Sequence, residues 1–140
     1  MSVLAQLVDV PLDLAAHVAH VQHPGAGAVA TFVGQVRDHD PDVVGEVRAL
    51  QYVAHPDAAL VLAGLAAAAA APDAVLGLAV SHRVGHLHVG EPAIVVAVAT
   101  AHRAEAFDVC RELVEQVKAH LPVWKREVLV DGSSVWVGST

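Results

Sequence analysis

The sequence predicts an α+β fold with a mostly antiparallel sheet. Segments that read as strands come in consecutive pairs, and segments that read as helices separate those pairs. The predicted order is helix, strand, strand, helix, strand, strand, helix, strand, strand. The helical segments place apolar residues at three- and four-residue steps, whereas the strand segments alternate or run continuously apolar. Periodicity alone leaves open the choice between a ferredoxin-like sandwich and another two-layer arrangement. The length of 140 residues suits one domain with one core, and the expected domain is the whole span 1–140.

Residues 8–21 read as the first helix. Pro11 suits a first turn, and Leu12, Ala15, Ala16 and Ala19 give a weak apolar face. His17 and His20 are three apart, but no third ligand lies near, so a solvated face is the expectation. HPGAG (23–27) is a loop without a full dinucleotide fingerprint. GAVATFVGQV (27–36) reads as a buried strand that Arg37 ends. DHDPDVVG (38–45) is a polar loop with Pro and Gly, placed to cover a ligand or simply to connect strands. EVRALQYV (46–53) returns as a strand, and His55-Pro56-Asp57 opens an Ala-rich helix to Ala71. AVLGLAVSHR (74–83) is a strand and VGHLHVGEP (84–92) a turn region. His86 and His88 are two apart there, a spacing that zinc uses, and His82 is a candidate to join them, yet no Cys, Asp or second His cluster has a compelling ligand spacing. No metal site is therefore expected. The apolar run 94–100 reads as a central strand. Residues 103–121 read as a helix with Phe107, Cys110, Val114, Val117 and Leu121 on its buried stripe, ending before Pro122. WKREVLV alternates as a strand, with Trp124, Arg126 and Val128 on one face and Lys125, Glu127 and Leu129 on the other. Asp131-Gly132 then turns into a last short strand at 133–137.

Composition narrows the function. The formal charge is -7, which disfavours nucleic acid as a partner. The longest apolar run, 58–71, is too short to span a bilayer, and the first residues do not resemble a signal peptide. A single cysteine excludes an internal disulfide framework and fits a cytoplasmic location. Cys110, on the apolar stripe, reads as a core residue and not a nucleophile.

Within this acidic chain, five of the eight basic residues lie between positions 103 and 126, including both lysines, Lys118 and Lys125. Such a cluster suggests a local anion site. On a helical wheel Lys118 falls at the edge of the apolar stripe, so its stem rests on the core while its ammonium reaches a cleft. A helix end followed by a strand start can bring Lys118 and Lys125 to one pocket. His102 and Arg103 stand at a strand-to-helix junction whose free backbone N–H groups suit a phosphate.

These residues fall in blocks that resemble a known family. TFVGQVRDHD (31–40), YVAHPDAA (52–59), RVGHLHVGE (83–91), VATAHRAEAF (98–107) and VKAHLPVWKRE (117–127) are similar, in order, to the large catalytic subunit of molybdopterin synthase. The resemblance implies a two-layer α/β-hammerhead with a small extra β subdomain. It also implies a homodimer within a heterotetramer, whose partner is a small ubiquitin-like sulfur carrier ending in a Gly-Gly thiocarboxylate. Sulfur from that tail would pass twice to cyclic pyranopterin monophosphate, forming the dithiolene of molybdopterin, with no cofactor in this chain. By the same resemblance Lys118 and Lys125 are the active-site lysines, and Arg37, His102 and Arg103 hold the pterin and its phosphate. Gln35 and Val36 precede Arg37 in one substrate-contacting strand end; Arg126 and Glu127 follow Lys125 in the other. Gln35 departs from the Lys common in the family. The loop 38–45 corresponds to a segment expected to be flexible until a partner or substrate binds. Whether His102 and Arg103 serve the neighbouring protomer's lysines stays open.

Two lysines close together repel, and partial burial disfavours their charge, so one is expected to titrate below its ordinary range. Lys125 is assigned to the chemistry and Lys118 to the carrier tail and charge stabilisation. The alternative from another class is a non-enzymatic dimeric α+β anion-binding or regulatory domain, in which the lysines matter for binding only.

Overall fold

A computed structural model describes residues 1–137; the last three residues of the expected 1–140 domain lie outside the described residues. Among the described residues, two four-stranded sheets and three helices make up the fold. The first sheet has the order β1-β4-β6-β2, from β1 (Ser2–Val8), β4 (Val75–Arg83), β6 (Pro92–Thr100) and β2 (Ala28–Gln35). Only β1 and β4 pair in parallel; β4 with β6 and β6 with β2 are antiparallel. The second sheet, β5 (Gly85–His88), β3 (Val47–Ala54), β7 (Val123–Leu129) and β8 (Ser134–Val137), is antiparallel throughout. The expected α+β, mostly antiparallel architecture is therefore present.

Layering follows from side-chain size. Strands β4 and β6 are buried on both faces, as the continuous apolar run of 94–100 suggests. Leu78, Val80, Ile94, Val96 and Val98 meet helices α2 (Ala58–Ala70) and α3 (Arg103–His120) on one face. Ala79, Ala97 and Ala99 point to the other, where Val21, at the end of α1 (Leu14–His20), covers them. Small residues let that helix end sit close. Gly77 shows how close, because a Cβ there would lie 2.8 Å from the Val21 carbonyl oxygen. A smaller cluster of Val36, Val43, Val47, Leu50, Leu87, Ala93 and Leu129 joins the second sheet to the loop after β2.

Several local expectations are corrected. The predicted helix over 8–21 is shorter, Leu14–His20, and an unpredicted strand, Ser2–Val8, precedes it; Pro11 lies before the helix, and Asp13 caps it by accepting from the Ala15 and Ala16 amides. His17 is not on a solvated face. It is buried, with Nδ1 donating to the Asp13 carbonyl (2.6 Å) and Nε2 accepting from the Ser81 hydroxyl (2.7 Å). Part of the predicted turn region 84–92 forms β5, on which His86 and His88 stack edge to face with centroids 5.0 Å apart. The buried stripe of α3 is rotated from the predicted one: Ala106, Cys110, Leu113, Val114 and Val117 face the core, and Phe107 is 66% exposed. Cys110 is a core residue, and burial raises its thiol pKa. Among the described residues no group of three His, Cys, Asp or Glu is placed to hold a metal, and no helix is long and apolar enough to cross a membrane.

Candidate active site

The site is built where α3 ends and β7 begins. Leu121 leaves the helix in an extended conformation, with its amide still bonded to the Val117 carbonyl, and Pro122 prevents continuation. Lys118 thus sits in the last helical turn and Lys125 on the third residue of the next strand. Strand alternation turns Lys125 and Glu127 inward beside their cross-strand partners on β3, Tyr52 and Leu50. The third wall is the chain after β2, which contributes Gln35, Val36, Arg37, His39 and Asp40. Together these walls enclose a cleft of about 230 Å³. A smaller recess of about 30 Å³, bounded by Tyr52, His82 and both lysines, opens beside it, room for about one water.

Charge in the cleft is unevenly paired. Lys125 is 20% exposed at its side chain and lies 3.3 Å from Asp40 Oδ2 and 3.5 Å from Glu127 Oε1. Lys118 stands at the mouth, exposed, with no ion pair among the described residues. Its pKa is lowered, first by partial burial and then by Lys125 beside it, while Glu115 one turn back opposes the shift. One lysine with a weakened hold on its proton is what two adjacent lysines predict, and that lysine is Lys118. Burial, then the hydrogen bond to Asp40, pushes the Glu127 carboxyl up to about 7. That same hydrogen bond holds Asp40 at about 2. The two neighbouring acids are thus driven apart in proton affinity, as happens when both cannot ionise together. Burial raises the Tyr52 phenol to about 12 and lowers the His82 imidazole pKa. His82 Nδ1 donates to the Arg83 carbonyl (2.8 Å), and its ring meets Tyr52 edge-on at 5.1 Å.

The predicted site residues divide into three groups. Gln35, Val36, Arg37, Lys118, Lys125 and Glu127 converge on the cleft. Arg126 does not; it lies on the other face of β7, with its guanidinium 6.0 Å above the Trp136 ring. His102 and Arg103 are exposed at the opposite end of α3, fifteen positions before Lys118 for Arg103. At helical rise that is about 22 Å away, beyond the cleft of their own chain. Sequence reasoning missed Asp40, His39, Tyr52 and His82. A signal existed for two of them, since Tyr52 is the only tyrosine in the chain and occupies an inward position of its strand. The acid-rich DHD directly after Arg37 was the trace of Asp40.

The sequence profile of the MoaE protein family matches residues 7–120. The chain belongs to the MoaE family. A relative named molybdopterin synthase catalytic subunit in Thermoplasma volcanium is 39% identical over 127 residues, 90% of this chain and 89% of that one. One of the same name in Oryza sativa subsp. indica is 42% identical over 126 residues, but this chain spans only 64% of its length. A crystal structure of molybdopterin synthase from Staphylococcus aureus superposes with a TM-score of 0.86, at 26% identity and 96% coverage of both chains. The family resemblance read from the blocks at 31–40, 52–59, 83–91, 98–107 and 117–127 thus holds, and so does the fold it implied.

Proposed function

We propose that this chain is the catalytic subunit of a molybdopterin synthase. In this reading it takes sulfur from the C-terminal thiocarboxylate of a small ubiquitin-like carrier and passes it to cyclic pyranopterin monophosphate, building the dithiolene of molybdopterin. The reading includes a homodimer within a heterotetramer, working in the cytoplasm. The observation that carries it is the convergence of the chain's only two lysines on one cleft with Arg37, in a protein that is otherwise acidic. Both reactants are anions, a thiocarboxylate tail and a cyclic phosphate, and a local basic cleft suits both.

The chemistry needs a group to move protons and a group to stabilise negative charge. Once the carrier's sulfur has bonded to the pterin, water must attack the acyl carbon and break its C–S bond, leaving the sulfur on the pterin and a carboxylate on the carrier. Lys125, gripped by two carboxyl groups, suits the fixed cation that stabilises the oxyanion of that step. Lys118, which gives up its proton more readily than an ordinary lysine, suits the base. This reverses the division of roles expected from sequence. The nucleophilic sulfur arrives on the carrier, so no cysteine of this chain has to react, and buried Cys110 is consistent with that.

The test is reconstitution. Purified chain, thiocarboxylated carrier and cyclic pyranopterin monophosphate are mixed, and dithiolene pterin is measured. Wild type is expected to form product, and Lys118→Ala and Lys125→Ala to lose most of it while keeping the wild-type circular dichroism spectrum. No product from wild type with a competent carrier would move the function to the anion-binding domain.

A further inference from the structure

Asp40 is not among the site residues assigned from the family resemblance or the lysine pattern, yet it is one of the few buried charged side chains among the described residues. The loop after β2 delivers it. Val43 anchors that loop in the smaller core, the Asp42 amide donates to Asp40 Oδ1 (2.8 Å), and the Val43 amide donates to the Asp40 carbonyl (3.1 Å). The side chain is therefore fixed from its own backbone. Its other oxygen, Oδ2, accepts from Lys125 Nζ.

We propose that Asp40 is a positioning residue of this site: fixed by the amides of its own loop, it anchors the Lys125 side chain in the cleft and leaves Lys118 as the lysine without a carboxylate partner among the described residues. The inference rests on the synthase reading only for its consequence in catalysis; the charge arrangement itself stands on geometry.

Charged and titratable groups reach the two lysines from each neighbouring element. Around Lys125 these are Arg37, His39 and Asp40 on the loop side, Glu127 on its own strand and Tyr52 across the ladder. Around Lys118 they are Glu115 one turn back, Tyr52 and His82 in the recess, and Lys125 itself. Lys125 alone has a carboxylate within ion-pair distance among the described residues. Glu127 cannot supply that charge by itself. It is 2% exposed, its Oε2 has no hydrogen-bond donor among the described residues, and beside an ionised Asp40 it keeps its proton into the neutral range. Asp40, held by the Asp42 amide and 3.3 Å from Lys125 Nζ against 3.5 Å for Glu127, is therefore the better placed carboxylate.

The composition of the chain makes a direct test possible. Isotope-labelled lysine gives only two side-chain Cε resonances by NMR, assigned with Lys118→Arg and Lys125→Arg. In wild type Lys118 is expected to titrate at lower pH than Lys125. Glu127→Gln should preserve that gap, because Asp40 remains. Adding Asp40→Asn should lower the Lys125 midpoint by about one pH unit, the size of an opposite charge at this distance, and close the gap. Both substitutions are nearly isosteric, and amide spectra check that the fold persists. A gap that already closes in Glu127→Gln would assign the role to Glu127 and overturn the inference. So would a gap unchanged in the double variant, or an equal fall of both lysines, which marks a general field. No carrier or pterin enters the measurement, so failure of the synthase reading leaves this result standing.

Discussion

A carboxyl group that keeps its proton near neutrality changes how stability depends on pH. Glu127 is held at about 7, above the 4.5 of an ordinary glutamate, first by burial and then by the hydrogen bond to Asp40. The folded state thus binds this proton more tightly than the unfolded chain does. The stabilisation is fully present below pH 4.5 and is lost as pH rises through 7. Glu127→Gln removes the proton and its linkage. The stability difference between variant and wild type should therefore move in the variant's favour from pH 4.5 to above 7. Urea unfolding at a series of pH values measures it, and a difference that stays flat would mean that Glu127 is ionised throughout. Asp40, held at about 2, contributes in the opposite sense and at lower pH, below the window in which Glu127 titrates.

Among the elements, the short helix α1 depends on one buried polar contact. His17 bridges the Asp13 carbonyl and the Ser81 hydroxyl, and Ser81 also accepts from Gln6 Nε2 (3.1 Å), so the imidazole ties α1 to β4 and β1. His17→Ala should cost about 2 kcal/mol, from the emptied space and the weakened satisfaction of buried Ser81. Guanidinium unfolding should show a lower midpoint with an unchanged slope; an unaltered midpoint would return His17 to the surface role expected from sequence. That expectation failed because α1 is only seven residues long, too short for its face to be read from period. Strand β1 was missed for a related reason. It lies at a sheet edge, and its parallel partner begins at Gly77, far along the chain, so nothing local marks it. Elements with long, clean periods were legible. The alternation in WKREVLV separated Lys125 and Glu127 from Arg126 before any coordinates, and the structure keeps that separation. The acidic DHD marked the neighbourhood of Asp40, but a loop such as DHDPDVVG has no period to say which side chain turns inward.

Over the whole molecule, the distance along α3 sets the main geometric question. Lys118 and Lys125 share a cleft with Arg37, while His102 and Arg103 lie about 22 Å away at the far end of the same helix. A phosphate-sized ligand cannot span that distance. If His102 and Arg103 act on the same substrate as the lysines, a second copy of the chain must bring them, as the proposed homodimer allows. Subunit complementation decides between these arrangements. Lys125→Ala and Arg103→Ala are each expected to be nearly inactive as homodimers under this reading. After mixing and dissociation–reassociation, each mixed dimer holds one cleft with a native lysine pair and a native His102-Arg103 from its partner. A two-fold dimer assembled at random then regains about a quarter of wild-type turnover. A site completed within one chain would regain none, because every cleft in the mixed dimer would carry one lesion. An Arg103→Ala homodimer with near-normal turnover would remove the His102-Arg103 end from the chemistry, and the cleft around Lys118, Lys125, Arg37 and Asp40 would be the whole of the site.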